Sequence, residues 1–202
     1  MDFNIKFMNK IQNIIQSSIQ VKQELLNNED LISKIDNAVE IITIAFNSGK
    51  KVLFCGNGGS AADAQHLAAE FSGRFYKNRP ALPAEALHCN TSYLTAVAND
   101  YSFNEIYSRL IEGIGNNGDI LIGLSTSGNS ANIIKAFKAA HKNEMITIGL
   151  TGETGGEMKS FCNILINLPS TDTPRIQESH ILVGHIICQL VEEAIFPSIE
   201  NP

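Results

Sequence analysis

The sequence predicts an α/β fold, a five-stranded parallel sheet flanked by helices on both faces and preceded by an N-terminal helical hairpin. Three observations lead there. From Lys51 onward, short apolar runs of strand length alternate with longer segments of helical periodicity, the pattern of strands joined by crossover helices. Ahead of Lys51 stand two helical patterns separated by a polar break, with no strand between them. The first apolar run stops abruptly at Gly56-Asn57-Gly58-Gly59-Ser60, where a helix begins. A strand, glycine loop and helix start in that order aim backbone N–H groups at an anion, and the helix dipole favours negative charge there.

The hairpin opens with apolar residues at helical spacing from Phe3 to Leu26, interleaved with Gln, Asn and Lys. Asn27-Asn28-Glu29-Asp30 breaks and caps, Leu31 to Phe46 repeats the pattern, and Asn47-Ser48-Gly49 ends it. Its apolar stripe must be buried on the chain's own sheet or on the equivalent helices of a partner subunit. The first strand is Val52 to Cys55, followed by a helix from Ser60 to about Tyr76, with Ser60 or Asp63 capping or charging its first turn. The prolines of Asn78 to Pro83 make a loop. A brief strand follows at Ala84 to Cys89, then a helical segment near Leu94 to Ala98 ending in Asn99-Asp100, and a helix from Phe103 to Ile114 stopped by Gly115-Asn116-Asn117-Gly118. Asp119 to Leu124 is the clearest strand. It leads through Ser125-Thr126-Ser127-Gly128-Asn129-Ser130 into a helix from Ala131 to His141, a strand at Met145 to Leu150, a glycine-rich loop at Thr151 to Gly156 and a short helix. A strand at Asn163 to Leu168 and a long helix from Pro174 to Ile195 complete the chain.

With 202 residues and 44% hydrophobic content, the chain suits one domain over 1–202, residues 1–50 forming the hairpin and 51–202 the α/β core. A formal net charge of −6 supplies no basic field for nucleic acid or an anionic membrane, so neither is an expected partner. Cys55, Cys89, Cys162 and Cys188 form no CxxC pair and read as reduced core residues of a cytosolic protein. Met1 to Lys6 lacks the basic start and apolar core of a signal peptide, and no apolar run reaches membrane-spanning length. The expectation is a soluble, cytoplasmic protein.

In an open parallel sheet, ligands bind outside the carboxyl ends of the strands, where both Gly56–Ser60 and Ser125–Ser130 fall. The first loop is an anion cradle or a bare tight turn; it matches neither the dinucleotide fingerprint nor the P-loop. The second holds four hydroxyls in six residues, more than a helix cap needs, which suits a phosphate monoester, with Lys135 one turn on as added charge. His66 and Glu70, spaced i to i+4, share one helix face and either grip a divalent metal or form a surface pair. Gln177 and His185 lie on the last helix with His180 between them, amid apolar neighbours. Eight residues at a rise of about 1.5 Å separate their backbones by roughly 12 Å, a spacing that permits but does not require convergence on one ion. No nucleophile elbow is present, which removes covalent hydrolase chemistry.

Together, Cys55-Gly56-Asn57-Gly58-Gly59-Ser60, His66-Leu67-Ala68-Ala69-Glu70, Gly73-Arg74, Asn99-Asp100, Ser125–Ser130 and Arg175-Ile176-Gln177-Glu178 resemble, in order and over nearly the whole chain, the phosphoheptose (sedoheptulose 7-phosphate) isomerase family of the sugar isomerase (SIS) fold group. The resemblance implies a flavodoxin-like SIS fold and a homotetramer with active sites at subunit interfaces, which would bury the N-terminal helix. It implies substrate contacts from Asn57, Gly58, Gly59, Ser60, Glu70, Asn99, Asp100, Ser125, Thr126, Ser127, Ser130 and Gln177, the four hydroxyl residues holding the phosphate. His66, Glu70, Gln177 and His185 match the positions that hold one zinc ion per subunit. The implied reaction interconverts sedoheptulose 7-phosphate and D-glycero-D-manno-heptose 7-phosphate through an enediolate, with Glu70 as base at C1 and His185 as acid or base at the other end. That reaction supplies heptose for lipopolysaccharide, capsule or related glycans of bacteria. Two other readings share these loops: a non-catalytic SIS protein that binds the replication initiator, and an isomerase of a different phosphosugar.

Overall fold

A computed structural model of the chain describes residues 2–198, with side chains from residue 7. The side chains of Met1 to Lys6, on which the absence of a leader was read, lie outside that range, as do residues 199–202 at the end of the expected domain.

Seven helices and five strands are described: α1 (Asp2–Leu26), α2 (Glu29–Asn47), β1 (Val52–Gly56), α3 (Gly59–Ser72), β2 (Ala84–Ala86), α4 (Thr91–Asp100), α5 (Ser108–Ile114), β3 (Ile120–Ser125), α6 (Ala131–Lys142), β4 (Ile146–Thr151), β5 (Ile164–Asn167) and α7 (Thr173–Ile195). The strands form one parallel sheet in the order β2-β1-β3-β4-β5. This is the flavodoxin-like order, in which the chain reverses direction across the sheet between β1 and β3.

The central strands β1, β3 and β4 are covered on both faces and so are buried almost throughout, whereas the edge strands β2 and β5 are only partly buried. Val52, Phe54, Ile120, Ile122, Leu124, Ile148 and Leu150 pack against α2, α3 and α7. Leu53, Cys55 and Leu121 point the other way, into a core built with Ile111 of α5 and Ile133, Ala136 and Phe137 of α6. The hairpin packs on the chain's own sheet mainly through α2. Leu31, Ile35, Ala38 and Ile42 of α2 are buried in the first core, whereas α1, among its described side chains, reaches that core only at Leu25, buries Val21 nearby, and exposes Ile11, Ile14, Ile15 and Ile19.

Two helices differ from their sequence expectation, in three respects. The cap of α3 is Gly58, at φ +56°, and Ser60 is buried inside the first turn, so neither Ser60 nor Asp63 caps it. That helix ends at Ser72 instead of continuing to Tyr76, because the Glu192 carboxylate accepts the N–H groups of Phe75, Tyr76 and Lys77 that further helix would have used. The expected helix from Phe103 breaks into a 3₁₀ turn at Phe103–Glu105 and a short α5, with buried Tyr107 at the junction donating to the Gly56 carbonyl at 2.5 Å. The cysteines are free, Cys55 and Cys188 buried and Cys89 exposed. Among the described residues, no helix is long and apolar enough to cross a membrane.

Candidate active site

At the reversal point β1 and β3 run side by side, paired from Val52 with Ile120 to Gly56 with Leu124. Past that register their chains leave on opposite faces, α3 into one core and α6 into the other. A crevice at the carboxyl edge is the result, with the glycine loop on one wall and the hydroxyl loop on the other. In the hydroxyl loop Ser125 Oγ and Ser130 Oγ lie 3.0 Å apart, and Ser127 Oγ accepts from the Asn129 N–H at 3.1 Å. Ser130 thus provides no side-chain cap to α6, whose N-terminus faces the crevice. The β4 loop supports this turn from behind: Gly152 N–H donates to the Thr126 carbonyl, Met158 N–H to the Gly128 carbonyl and Glu157 N–H to Asn129 Oδ1. Lys135 does not add charge to this loop, because its ammonium is paired with the Glu105 carboxylate.

His66 and Glu70 of α3 meet His185 of α7. Glu70 Oε1 is 3.2 Å from His66 Nε2, and His66 Nε2 is 2.9 Å from His185 Nε2. The convergence depends on a glycine inside a helix. A Cβ on Gly184 would stand 2.5 Å from the Leu67 side chain, so only glycine lets α7 cross α3 closely enough for the flanking residues, His185 and His66, to face each other. Phe75 packs on the His185 ring, with centroids 5.6 Å apart. Partial burial lowers the His185 pKa first and His66 lowers it further, while Glu70 opposes them. His180 is the buried core histidine of α7; burial lowers its pKa to about 4, with the Thr151 carbonyl opposing.

The donor set fits zinc. Two imidazole nitrogens and a carboxylate oxygen lie within 4.8 Å of one another. Ligand atoms of a tetrahedral zinc site stand about 3.3 Å apart, given bonds of about 2.0–2.1 Å. The observed spacings of 2.9 and 3.2 Å are close to that.

The remaining predicted residues divide. Gln177 lies against the glycine loop, its Nε2 2.4 Å from where a Cβ on Gly59 would be, which ties α7 to the crevice wall. Asn57 uses its side chain internally, in reciprocal hydrogen bonds of 2.9 and 2.8 Å with Asn132. Asn99 and Asp100 end α4, exposed and hydrogen-bonded to each other at 2.9 Å; among the described residues no hydrogen bond joins them to the other predicted positions. Sequence reasoning missed Gly184, Asn132, Arg79 and Glu192. A glycine inside an apolar helical pattern is a visible anomaly that could have flagged Gly184. The other three carry no local signal.

Residues 15–152 match the family model described as SIS domain. The phosphoheptose isomerase of Clostridium acetobutylicum is 52% identical over 188 residues, covering 93% of this chain and 96% of that protein. Among solved structures, phosphoheptose isomerase GmhA from Neisseria gonorrhoeae superposes with a TM-score of 0.87 at 42% identity, covering 93% of this chain and 99% of that one. A phosphoheptose isomerase from Francisella tularensis gives 0.88 at 38% identity, covering 92% and 98%.

Proposed function

The chain belongs to the phosphoheptose isomerase family of SIS-domain proteins, and from that premise we propose how its residues divide the work of isomerising sedoheptulose 7-phosphate. It is an isomerase with a phosphosugar substrate, acting in heptose biosynthesis. The observation that carries the residue assignment is the convergence of His66, Glu70 and His185 from two helices, beside a crevice walled by a glycine loop and a hydroxyl loop. Ser125, Thr126, Ser127 and Ser130 hold the phosphate, and the backbone of Asn57, Gly58, Gly59 and Ser60 meets the sugar. Asn99 and Asp100, exposed at the end of α4, line the sugar across a subunit boundary.

In the open-chain ketose, Glu70 removes a proton from C1 as the electron pair moves toward the C2 carbonyl, leaving an enediolate. His185 exchanges a proton at the other end. C2 gains a proton and the O1 proton moves to O2, giving the aldose, and solvent resets the two side chains. His66, Glu70 and His185, with Gln177 as fourth ligand, would hold one zinc ion per subunit, which would supply a Lewis acid for the developing oxyanion. Glu70 can serve both purposes because Oε1 is the oxygen turned to His66, which leaves Oε2 for the proton.

Purified protein incubated with sedoheptulose 7-phosphate is expected to form the aldose by NMR, to lose turnover on chelation and to regain it with added zinc. Absence of turnover at every metal loading removes the enzymatic reading. Full turnover after chelation, with no metal by elemental analysis, removes zinc.

We also propose that the whole chain works as one SIS domain in a cytoplasmic homotetramer, its product going to lipopolysaccharide, capsule or related glycans. The exposed α1 stripe supports the assembly: Ile11 and Ile15 are 55% and 54% exposed on one face, and burying the exposed half of each against a second copy is favourable by about 1 kcal/mol. Ile11→Glu with Ile15→Glu is expected to lower the light-scattering mass below that of the tetramer while far-UV circular dichroism is unchanged. A variant that stays tetrameric takes α1 out of the interface.

A further inference from the structure

The β1–β3 ladder ends where Gly56 pairs with Leu124, and beyond it the two walls of the crevice diverge. The bridge beyond that point is the amide pair of Asn57 and Asn132. We infer that Asn132 is a positioning residue for the isomerase reaction: its amide latches the glycine loop to the helix that follows the hydroxyl loop, and so sets the width of the crevice that receives the phosphosugar. This rests on the phosphosugar isomerase reading of the crevice.

Asn132 lies in the first turn of α6 and is 3% exposed, so its amide has no water to fall back on. It donates to Asn57 Oδ1 at 2.8 Å and accepts from Asn57 Nδ2 at 2.9 Å. Its orientation is fixed by a third contact, because the Ile133 N–H donates to Asn132 Oδ1 at 3.0 Å. With the oxygen of Asn132 held there, the Asn57 amide has one compatible orientation. Tyr107 adds a second brace, its hydroxyl donating to the Gly56 carbonyl at 2.5 Å. Tyr107 belongs to the α6 side of the sheet, so both groups that hold the start of the glycine loop come from the hydroxyl-loop side.

Asn57 therefore keeps one amide N–H and one lone pair for a ligand, and its side chain acts chiefly through Asn132. A substrate that spans from the hydroxyl loop to the glycine loop must match a fixed separation. Loosening the latch lowers the fraction of molecules with both walls in place, and that loss appears in KM before it appears in the proton-transfer step.

The test is a double-mutant cycle on sedoheptulose 7-phosphate turnover with Asn57→Ala, Asn132→Ala and the double variant, joined by Asn132→Asp. The Asp variant keeps an oxygen facing Asn57 Nδ2 and the Ile133 N–H but turns the donor into a second oxygen against Asn57 Oδ1 and adds a negative charge. Asn132→Ala is expected to raise KM about tenfold, the loss of one or two neutral hydrogen bonds. Asn132→Asp, whose second oxygen faces Asn57 Oδ1, is expected to raise it at least as far, with kcat within about twofold and zinc content unchanged in both. Asn57→Ala should match Asn132→Ala, and the double variant should be no worse than either single one, as groups acting through one contact require. Additive effects, or Asn132 variants with wild-type KM and only a lowered Tm, overturn the latch. If Asn132→Ala does not fold, the KM of Asn132→Asp decides. Wild-type protein without turnover removes the isomerase reading instead, and the same ordering is then read from dissociation constants for inorganic phosphate.

Discussion

Glu70→Gln is expected to lower turnover of sedoheptulose 7-phosphate by about 10²–10⁴-fold, the range for removing a positioned general base. The substitution changes little else. Glu70 is half-buried on α3, and a glutamine of the same length can place its amide oxygen where Oε1 now faces His66 at 3.2 Å. What disappears is the ability to accept a carbon-bound proton. Because an amide is a poorer metal ligand than a carboxylate, the variant is assayed at saturating zinc, with metal content measured in the same samples. Deuterium exchange separates the two roles: in D₂O the wild-type enzyme should wash deuterium into C1 of unreacted ketose, and Glu70→Gln should not, even when fully loaded. Exchange at the wild-type rate in the loaded variant would move the base elsewhere and leave Glu70 as a ligand.

The alternation from Lys51 onward was legible because the central strands β1, β3 and β4 are buried on both faces, so their runs are short and largely apolar. The phosphate reading of Ser125–Ser130 rests on the sequence itself, where four hydroxyls at a helix start exceed what a cap needs. The zinc-fitting cluster was half legible. Spacing along α3 shows that His66 and Glu70 share a face, but the third donor comes from a residue 119 positions away in sequence. The end of α3 was not legible at all, because it is set by a carboxylate 115 residues from the Lys77 N–H it captures. Asn57 illustrates the same limit at the level of one side chain. The resemblance implied a substrate contact from it, and no local pattern showed that half of its amide pairs with Asn132, 75 residues along the chain. Local pattern shows which groups exist; packing decides what each is free to do.

Glu192→Ala is expected to destabilise the protein by about 3–5 kcal/mol in denaturant unfolding, the cost of stripping one partner from a buried ion pair. The Arg79 and Glu192 side chains are 0% and 1% exposed, joined at 2.8 Å. Glu192 also accepts three backbone N–H groups, from Phe75, Tyr76 and Lys77, while Arg79 donates to the carbonyls of Glu70, Phe71 and Gly73 at the end of α3. Burial raises the carboxyl's pKa, but those N–H groups and Arg79 outweigh it and hold the pKa below the usual carboxylate range. A carboxyl lowered in the folded state stabilises above its unfolded pKa, and the contribution is lost as pH falls through the folded value. The gap between wild type and Glu192→Ala should therefore be full at neutral pH and shrink in acid. Replacing both partners by apolar residues often restores stability at a buried pair. Here Arg79→Met with Glu192→Leu should not, because three N–H groups lose their acceptor. The consequence reaches the site, since this pair fastens the turn bearing Glu70 to the helix bearing His185. Even at temperatures where Glu192→Ala is fully folded, its zinc affinity should fall. A variant within about 1 kcal/mol of wild type, with unchanged zinc affinity, would mean that the α3–α7 crossing at Leu67 and Gly184 holds the cluster together by itself.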